Sequence, residues 1–236
     1  MKLPLVSCIV PVFNGERYLG EALDSILRQT YRPVETIVID DGSTDGTATV
    51  IGHYGEHVQY LRQSNAGPAA ARNLGLSVTQ GECVAFLDAD DLWHPEKLER
   101  QMARFQIRPE LSYCLTHVQN FWVPELSEEE KKFRDHRISK PLPGYVTQTL
   151  LARRALFDRV GQFNPALGHG DSTEWFLRAA EHGAVVELLP DVLLYRRLHQ
   201  NNRSRLRAST SHDQYLQILK VSLDQRRRRN KMTERT

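Results

Sequence analysis

The chain has 236 residues, a formal net charge of +2, 40% apolar residues and 25% charged ones. That is long enough for one sizeable α/β domain with an extension, and its overall charge marks no particular partner. Cys8, Cys83 and Cys114 lack metal-ligand spacing and suggest buried thiols in a reducing compartment, not a disulfide framework. The start of the chain does not read as a signal peptide, and no run approaches the roughly 18 apolar residues of a membrane span, so the expectation is a cytoplasmic protein.

Taken in order, Val6 to Val12 is a near-continuous apolar run and predicts a buried strand. Asn14-Gly15 breaks it. Tyr18, Leu19, Ala22, Leu23, Ile26 and Leu27 then recur at helical spacing, with Asn14 as the expected cap and Tyr31-Arg32-Pro33 as the stop. Glu35 to Ile39 is a second buried strand, stopped by Asp40-Asp41-Gly42-Ser43. Ser43 is the expected cap of a helix reaching Ile51 or Tyr54. A short strand over Val58 to Leu61 precedes Gly67-Pro68 and an Ala-rich helix to Val78. Cys83 to Leu87 is the fourth strand.

That strand runs into Asp88-Ala89-Asp90-Asp91. Strand residues alternate faces, so Asp88 and Asp90 can point the same way at its end. Their mutual repulsion calls for a counterion, and a hard divalent cation that also holds phosphate oxygens is the natural one. The plain alternative is a helix start, with Asp91 and Pro95-Glu96 leading into a helix to Gln106. Strands alternating with helices predict a doubly wound, mainly parallel sheet, with ligands at the carboxyl ends of the strands. Asn14-Gly15, Asp40-Asp41-Gly42 and Asp88 to Asp91 all fall on that rim. A Gly-x-Gly-x-x-Gly and a Walker lysine are both missing, so a nucleotide here would rely on carboxylates and a metal.

Leu111 to Asn120 is strand-like. Glu125 to Lys140 is dense in charge with little periodicity and reads first as a variable loop. Arg154 to Val160 fits a short helix closed by Gly161. Gly168 to Asp171 is a loop feeding a helix from Ser172 to His182. Val185 to Leu189 and Val192 to Tyr195 read as two short strands around Pro190. His212 to Leu223 has an amphipathic helical pattern, and Arg226 to Arg229 makes the end of the chain basic. Trp175 reads as core. Trp93 and Trp122 are the aromatic candidates for stacking on a sugar.

In combination these stretches resemble the family 2 glycosyltransferases of GT-A fold. The matching residues are Pro11-Val12-Phe13-Asn14, Ser25 to Tyr31, Val38 to Asp45, Asn65 to Asn73 and Phe86 to Asp91, with a weaker likeness from Thr147 to about Asn202. The resemblance implies one α/β domain over 1–205, with a nucleotide-binding half to 110 and an acceptor-side half from 111, then a C-terminal helix and basic tail over 206–236. It implies transfer of a sugar, with inversion, from a nucleoside-diphosphate sugar to a hydroxyl of a glycan, lipid-linked or other acceptor, with Mn²⁺ or Mg²⁺ on the diphosphate and no nucleic-acid partner. Pro11, Phe13, Asn14 and Ala89 would line the nucleotide-sugar pocket, and Asp41 would accept a bond from the base, commonly uracil. Asp88 would face ribose or metal, Asp90 would ligate the metal, and His199 could reach metal or diphosphate. Arg72 would approach the nucleotide or form a structural ion pair. A lipid-linked acceptor would be met at the membrane surface, with help from the C-terminal arginines.

One departure bears on catalysis. The family's base precedes a helix ending in Leu-Arg, and counting back from Arg178 places it at Ser172. Serine is no general base at neutral pH. The role therefore passes to Asp171 or Glu174, with Asp171 favoured, or the chain binds a nucleotide sugar without transferring it.

Overall fold

A computed structural model describes residues 3–167, 170–206 and 220. Among them nine strands form one sheet, in the order β3-β2-β1-β4-β8-β6-β9-β5 with β7 paired to β6. β1 (Val6–Val12), β2 (Val34–Asp40), β3 (Gln59–Arg62) and β4 (Cys83–Phe86) are parallel. The second half adds β5 (Leu92–Trp93), β6 (Tyr113–Trp122), β7 (Leu142–Pro143), β8 (Leu151–Arg153) and β9 (Val186–Leu198). In it β8 lies antiparallel between β4 and β6, while β9 runs parallel to β6. The sheet is therefore mixed, as expected.

Alternate residues of the central strands feed two cores. Val6, Cys8 and Val10 pack on one face with α1 (Leu19–Leu27) and α4 (Lys97–Ile107). Ile9, Ile37 and Phe86 pack on the other with α3 (Pro68–Val78), α6 (Arg154–Val160) and α7 (Asp171–Glu181). Covering both faces is why β1 is buried along its whole length and why its sequence shows no polar alternation. Trp175 is fully buried in the second core, its ring 4.7 Å from that of Phe157. All three cysteines are buried, and burial pushes Cys8 and Cys114 to about 12 and Cys83 to about 11.

Several boundaries differ from the sequence reading. α1 is not capped by Asn14: it starts at Leu19 and ends at Leu27, four residues before Tyr31. α2 (Thr47–Gly52) starts four residues after Ser43, where the Asp45 carboxylate accepts the Thr47 N–H at 3.1 Å. Ser43 instead accepts the Asn14 N–H on its hydroxyl. β9 is one strand where two were expected. The sheet absorbs Pro190 by a register shift opposite Leu115 to His117, so the proline interrupts pairing without ending the strand. The charged stretch after Val123 holds two 3-10 turns and α5 (Ser127–Lys132). Gly168-His169, most of the expected helix from His212 to Leu223, and the arginine run lie outside the described residues.

Candidate active site

β1 is flanked by β2 and β4, so the winding of the sheet reverses beside it. Its ladder with β2 continues to Val12–Asp40, whereas that with β4 ends at Ile9–Phe86. Pro11 follows that last pair and, having no N–H, cannot extend it. The chain after Phe86 leaves as the acidic turn, and a crevice opens between the two strand ends.

A cavity of about 960 Å³ fills this crevice. Asp41, Asp88, Asp90 and His199 all line it, and Pro11 and Phe13 also border it. Phe13 is 51% exposed, an unusual state for a phenylalanine beside a cavity. Asn14 and Ala89 also face the space, and Asn14 holds a left-handed backbone (φ 53°) while its Oδ1 accepts the Thr44 N–H at 2.8 Å. A smaller cleft of about 330 Å³ shares Arg72, Asp88 and Asp90 and extends to Thr147, Gln148, Asp171 and Ser172.

Asp41 is buried at the end of the β2 turn. The turn needs Gly42, whose φ of 81° comes with backbone 2.9 Å from where a Cβ would stand. One Asp41 oxygen accepts Gln63 Nε2 at 2.7 Å and the Ala66 N–H at 2.8 Å; the other accepts the Gly67 N–H at 2.8 Å. A carboxylate has about four acceptor positions, so the second oxygen keeps capacity for one more donor.

Asp88, Asp90 and Asp91 each bring an oxygen within 4.8 Å of the others. Asp91 does not cap a helix. It is buried, its Oδ1 accepts the Arg197 N–H at 2.9 Å, and α4 starts only at Lys97. Burial, reinforced by the Asp90 and Asp88 charges, holds its pKa well above the usual carboxylate range. Asp88 and Asp90 are half-buried and more open than Asp91, which is buried and accepts the Arg197 N–H. His199 Nε2 lies 2.9 Å from Asp90 Oδ2, and its ring packs 5.0 Å from Tyr18. Carboxylate oxygens beside an imidazole suit a hard or borderline divalent cation.

Arg72 joins the two spaces. It donates from Nη2 to Asp88 Oδ1 at 2.9 Å and from Nη1 to Asp171 Oδ2 at 2.8 Å. Burial opposes its charge, but Asp88 and Asp171 outweigh that and raise its pKa. Asp171 is the first residue of α7, preceded by Gly170 in the left-handed region (φ 76°). Ser172 borders the same cleft. Glu174 borders neither space. Its carboxylate is tied to Arg178 at 2.5 and 3.0 Å, one turn along α7. Trp93 and Trp122 are not sugar platforms: both are buried, with their indole N–H groups given to the Gln148 carbonyl and to Glu129.

Gln148 and Asn202 join the site without having been singled out from the sequence. Gln148 donates to Asp88 Oδ2, and Asn202 donates to Asp90 Oδ2 at 3.2 Å. Their polar side chains in the TQT and NN runs were the available signal; the partners lie 60 and 112 residues away.

A doubly wound sheet split at its switch point, with a cavity and a carboxylate cluster at the strand ends, is the class of open α/β architecture that takes ligands at that edge. Sequence comparison narrows the class: the chain belongs to the family described as Glycosyl transferase family 2, which matches residues 7–163. It is similar to an uncharacterized glycosyltransferase of Rickettsia typhi, 35% identical over 185 residues that cover 73% of this chain and 58% of that protein. It is also similar to the putative teichuronic acid biosynthesis glycosyltransferase TuaG of Bacillus subtilis, 44% identical over 104 residues, 42% of this chain and 41% of TuaG. The chain thus spans well under two thirds of either relative. Among solved structures it resembles S. aureus TarS 1-349 in complex with UDP-GlcNAc (TM-score 0.69, 23% identity, 84% of this chain and 59% of that one). It also resembles the mannosyltransferase PcManGT from Pyrobaculum calidifontis in complex with GDP-Man and Mn²⁺ (TM-score 0.66, 24% identity, 88% and 61%). At these identities the likeness establishes the fold, which is GT-A. No helix among the described residues is long and apolar enough to cross a membrane.

Proposed function

We propose that the protein transfers a sugar from a nucleoside-diphosphate sugar, a UDP-sugar first, to a hydroxyl acceptor in glycan biosynthesis, with inversion and with a divalent cation. The observation that carries this reading is the continuous cavity bordered by both Asp41 and the Asp88–Asp90–His199 group. Asp41 Oδ2 accepts the base N–H, and the exposed Phe13 ring and Pro11 flank the base. Asp88, Asp90 and His199 would hold Mn²⁺ or Mg²⁺, which neutralises the charge that develops on the leaving diphosphate. Arg72 holds Asp88 and Asp171 at a fixed distance across the boundary of the two spaces. Asp171 then takes the proton of the attacking hydroxyl from the acceptor side. The split into a domain over 1–205 and an extension over 206–236 belongs to this same reading.

Two features favour Asp171 over Glu174 as the base. Asp171 borders the cleft that Asp88 also borders, and Arg72 occupies only its Oδ2. Glu174 is committed to Arg178. A second reading, a nucleotide-sugar binder without transfer, draws on Ser172 standing at the family's base position.

The test is a thermal-shift series with UDP, GDP and their sugar derivatives, with and without Mn²⁺. Binding at a hundred times the dissociation constant stabilises by about 2.7 kcal/mol. Asp90→Ala should remove the Mn²⁺-dependent part. Asp171→Asn should keep nucleotide binding and lower nucleotide release, with water or a glycan as acceptor, by about 10²–10⁴-fold. Binding with no release in the unsubstituted protein under any acceptor would favour the second reading. No binding of any nucleotide would sink both.

A further inference from the structure

Asn202 is 6% exposed and spends its whole amide on three partners. Its Oδ1 accepts the His199 N–H at 2.6 Å, and its Nδ2 donates to the Arg197 carbonyl at 3.0 Å and to Asp90 Oδ2 at 3.2 Å. The three belong to different pieces of the site: the end of β9, the turn after it, and the acidic turn after β4. His199 Nε2 meets the same Asp90 Oδ2. Neither contact therefore occupies Asp90 Oδ1. Arg197 reinforces the join, giving its N–H to Asp91 Oδ1 and its Nε–H to the Asp90 carbonyl, with its guanidinium 4.5 Å from the Tyr18 ring centre.

We propose that Asn202 is a positioning residue for the cation site: it fixes Asp90 and His199 in one mutual arrangement and so leaves Asp90 Oδ1 aimed for a divalent ion. The inference rests on the metal-dependent reading above. The physical argument is preorganisation. A carboxylate free to rotate must be ordered when the ion binds, whereas one already held by an amide and an imidazole has lost that freedom beforehand. Partners that orient a metal's ligands typically change its affinity by 10–100-fold when removed. Asn202 borders the smaller cleft, but its three hydrogen-bond partners all belong to the cation group and the backbone beside it, so its effect should fall on the ion.

The experiment measures Mn²⁺ binding by electron paramagnetic resonance, with UDP and with GDP, alongside nucleotide affinity in EDTA. Asn202→Ala should weaken Mn²⁺ at least tenfold while leaving affinity in EDTA unchanged. If Asn202→Ala does not fold, Asn202→Ser carries the test, since one hydroxyl hydrogen cannot serve both Asp90 and the Arg197 carbonyl. The serine should lose at least threefold. Unchanged Mn²⁺ affinity in the folded variant, or an equal loss of nucleotide affinity in EDTA, overturns the proposal while the metal-dependent reading stands. If the unsubstituted protein binds nucleotide but shows no Mn²⁺ effect, the reading itself fails and takes this proposal with it.

Discussion

Asp41 borders the larger cavity and Asp171 the smaller cleft that shares Arg72 and Asp88 with it, and the molecule holds them in different ways. Asp41 accepts three N–H groups, all uncharged and all from residues 63–67. Asp171 has a guanidinium that it shares with Asp88, from a residue 99 positions away. The Asp41 side, the proposed donor side, is thus fixed by a local turn, and the Asp171 side, the proposed acceptor side, by one long-range cation. Damage to the first should stay local. Damage to the second should spread to both spaces.

The strongest way to break that contrast is to remove the shared cation. Arg72→Leu leaves Asp88 and Asp171 without their counterion in a mostly buried setting. Losing one partner of a buried ion pair costs about 3–5 kcal/mol. Urea unfolding should show a loss of that order, and Asp171→Asn in the Arg72→Leu background should recover part of it by removing one uncompensated charge. A loss below about 1 kcal/mol would mean that water or neighbouring groups, not Arg72, satisfy the acceptor side.

Away from both cavities, the core holds an ionisable group in a third way. Lys97 is fully buried between β1 and β6, near the neutral thiols of Cys8 and Cys114. Its Nζ donates to Gln101 Oε1 at 2.8 Å and sits 4.2 Å from the Trp93 ring centre. Burial lowers its pKa to about 7, against about 10.4 in an unfolded chain. Between these values the unfolded state binds the extra proton, so stability should rise as pH goes from about 7 to about 10 and level off below 7. The expected gain is several kcal/mol. Urea midpoints at pH 7 and 9.5 should show it in the unsubstituted protein and lack it in Lys97→Met. An equal slope in both would place the titration elsewhere.

The same contrast explains how much could be read from the sequence. On the donor side three site residues lie within two positions of a strand end: Asn14 after β1, Asp41 after β2, Asp88 after β4. Recognising the strand therefore located the residue. The acceptor side is assembled from turns whose neighbours are distant in the chain. Periodicity reports which face a residue takes, not which loop folds onto it, so the polar TQT and NN runs did not mark Gln148 and Asn202 as partners of Asp88 and Asp90. β5 has two residues, too few for any period, and without it Asp91 looked like a cap and not the anchor of Arg197. Pro190 looked like a strand break because the bulge that tolerates it depends on the partner strand.

A smaller effect is expected where the donor side is perturbed without removing charge from its surroundings. Asp41→Asn keeps one oxygen and turns the other into an NH₂ group facing an N–H donor. One bond is lost and one buried donor is left unsatisfied, a cost of about 1–3 kcal/mol. The loss should be confined to the 63–67 turn. Hydrogen exchange should speed up at Ala66 and Gly67 and stay unchanged at Asp171 and the first turn of α7. Faster exchange in α7 would mean that the two sides are not independent.

The smallest effect should come from the outer rim. Arg205, in the short helix α8 (Arg203–Leu206), donates to both oxygens of Glu129 in α5 at 2.6 Å each. Glu129 also accepts Trp122 Nε1 at 3.3 Å. The two-pronged geometry favours the pair, but the side chains remain 34% and 26% exposed. Water and salt therefore screen it, and about 0.2–1 kcal/mol is the expected worth. Glu129→Gln keeps an oxygen for Trp122 and removes the charge. Its cost should be measurable at low salt and shrink at about 1 M NaCl, where charges are screened over roughly 3 Å. A cost approaching that of Arg72→Leu, insensitive to salt, would mean that the acceptor side hangs on its rim, because only a desolvated pair resists screening in that way.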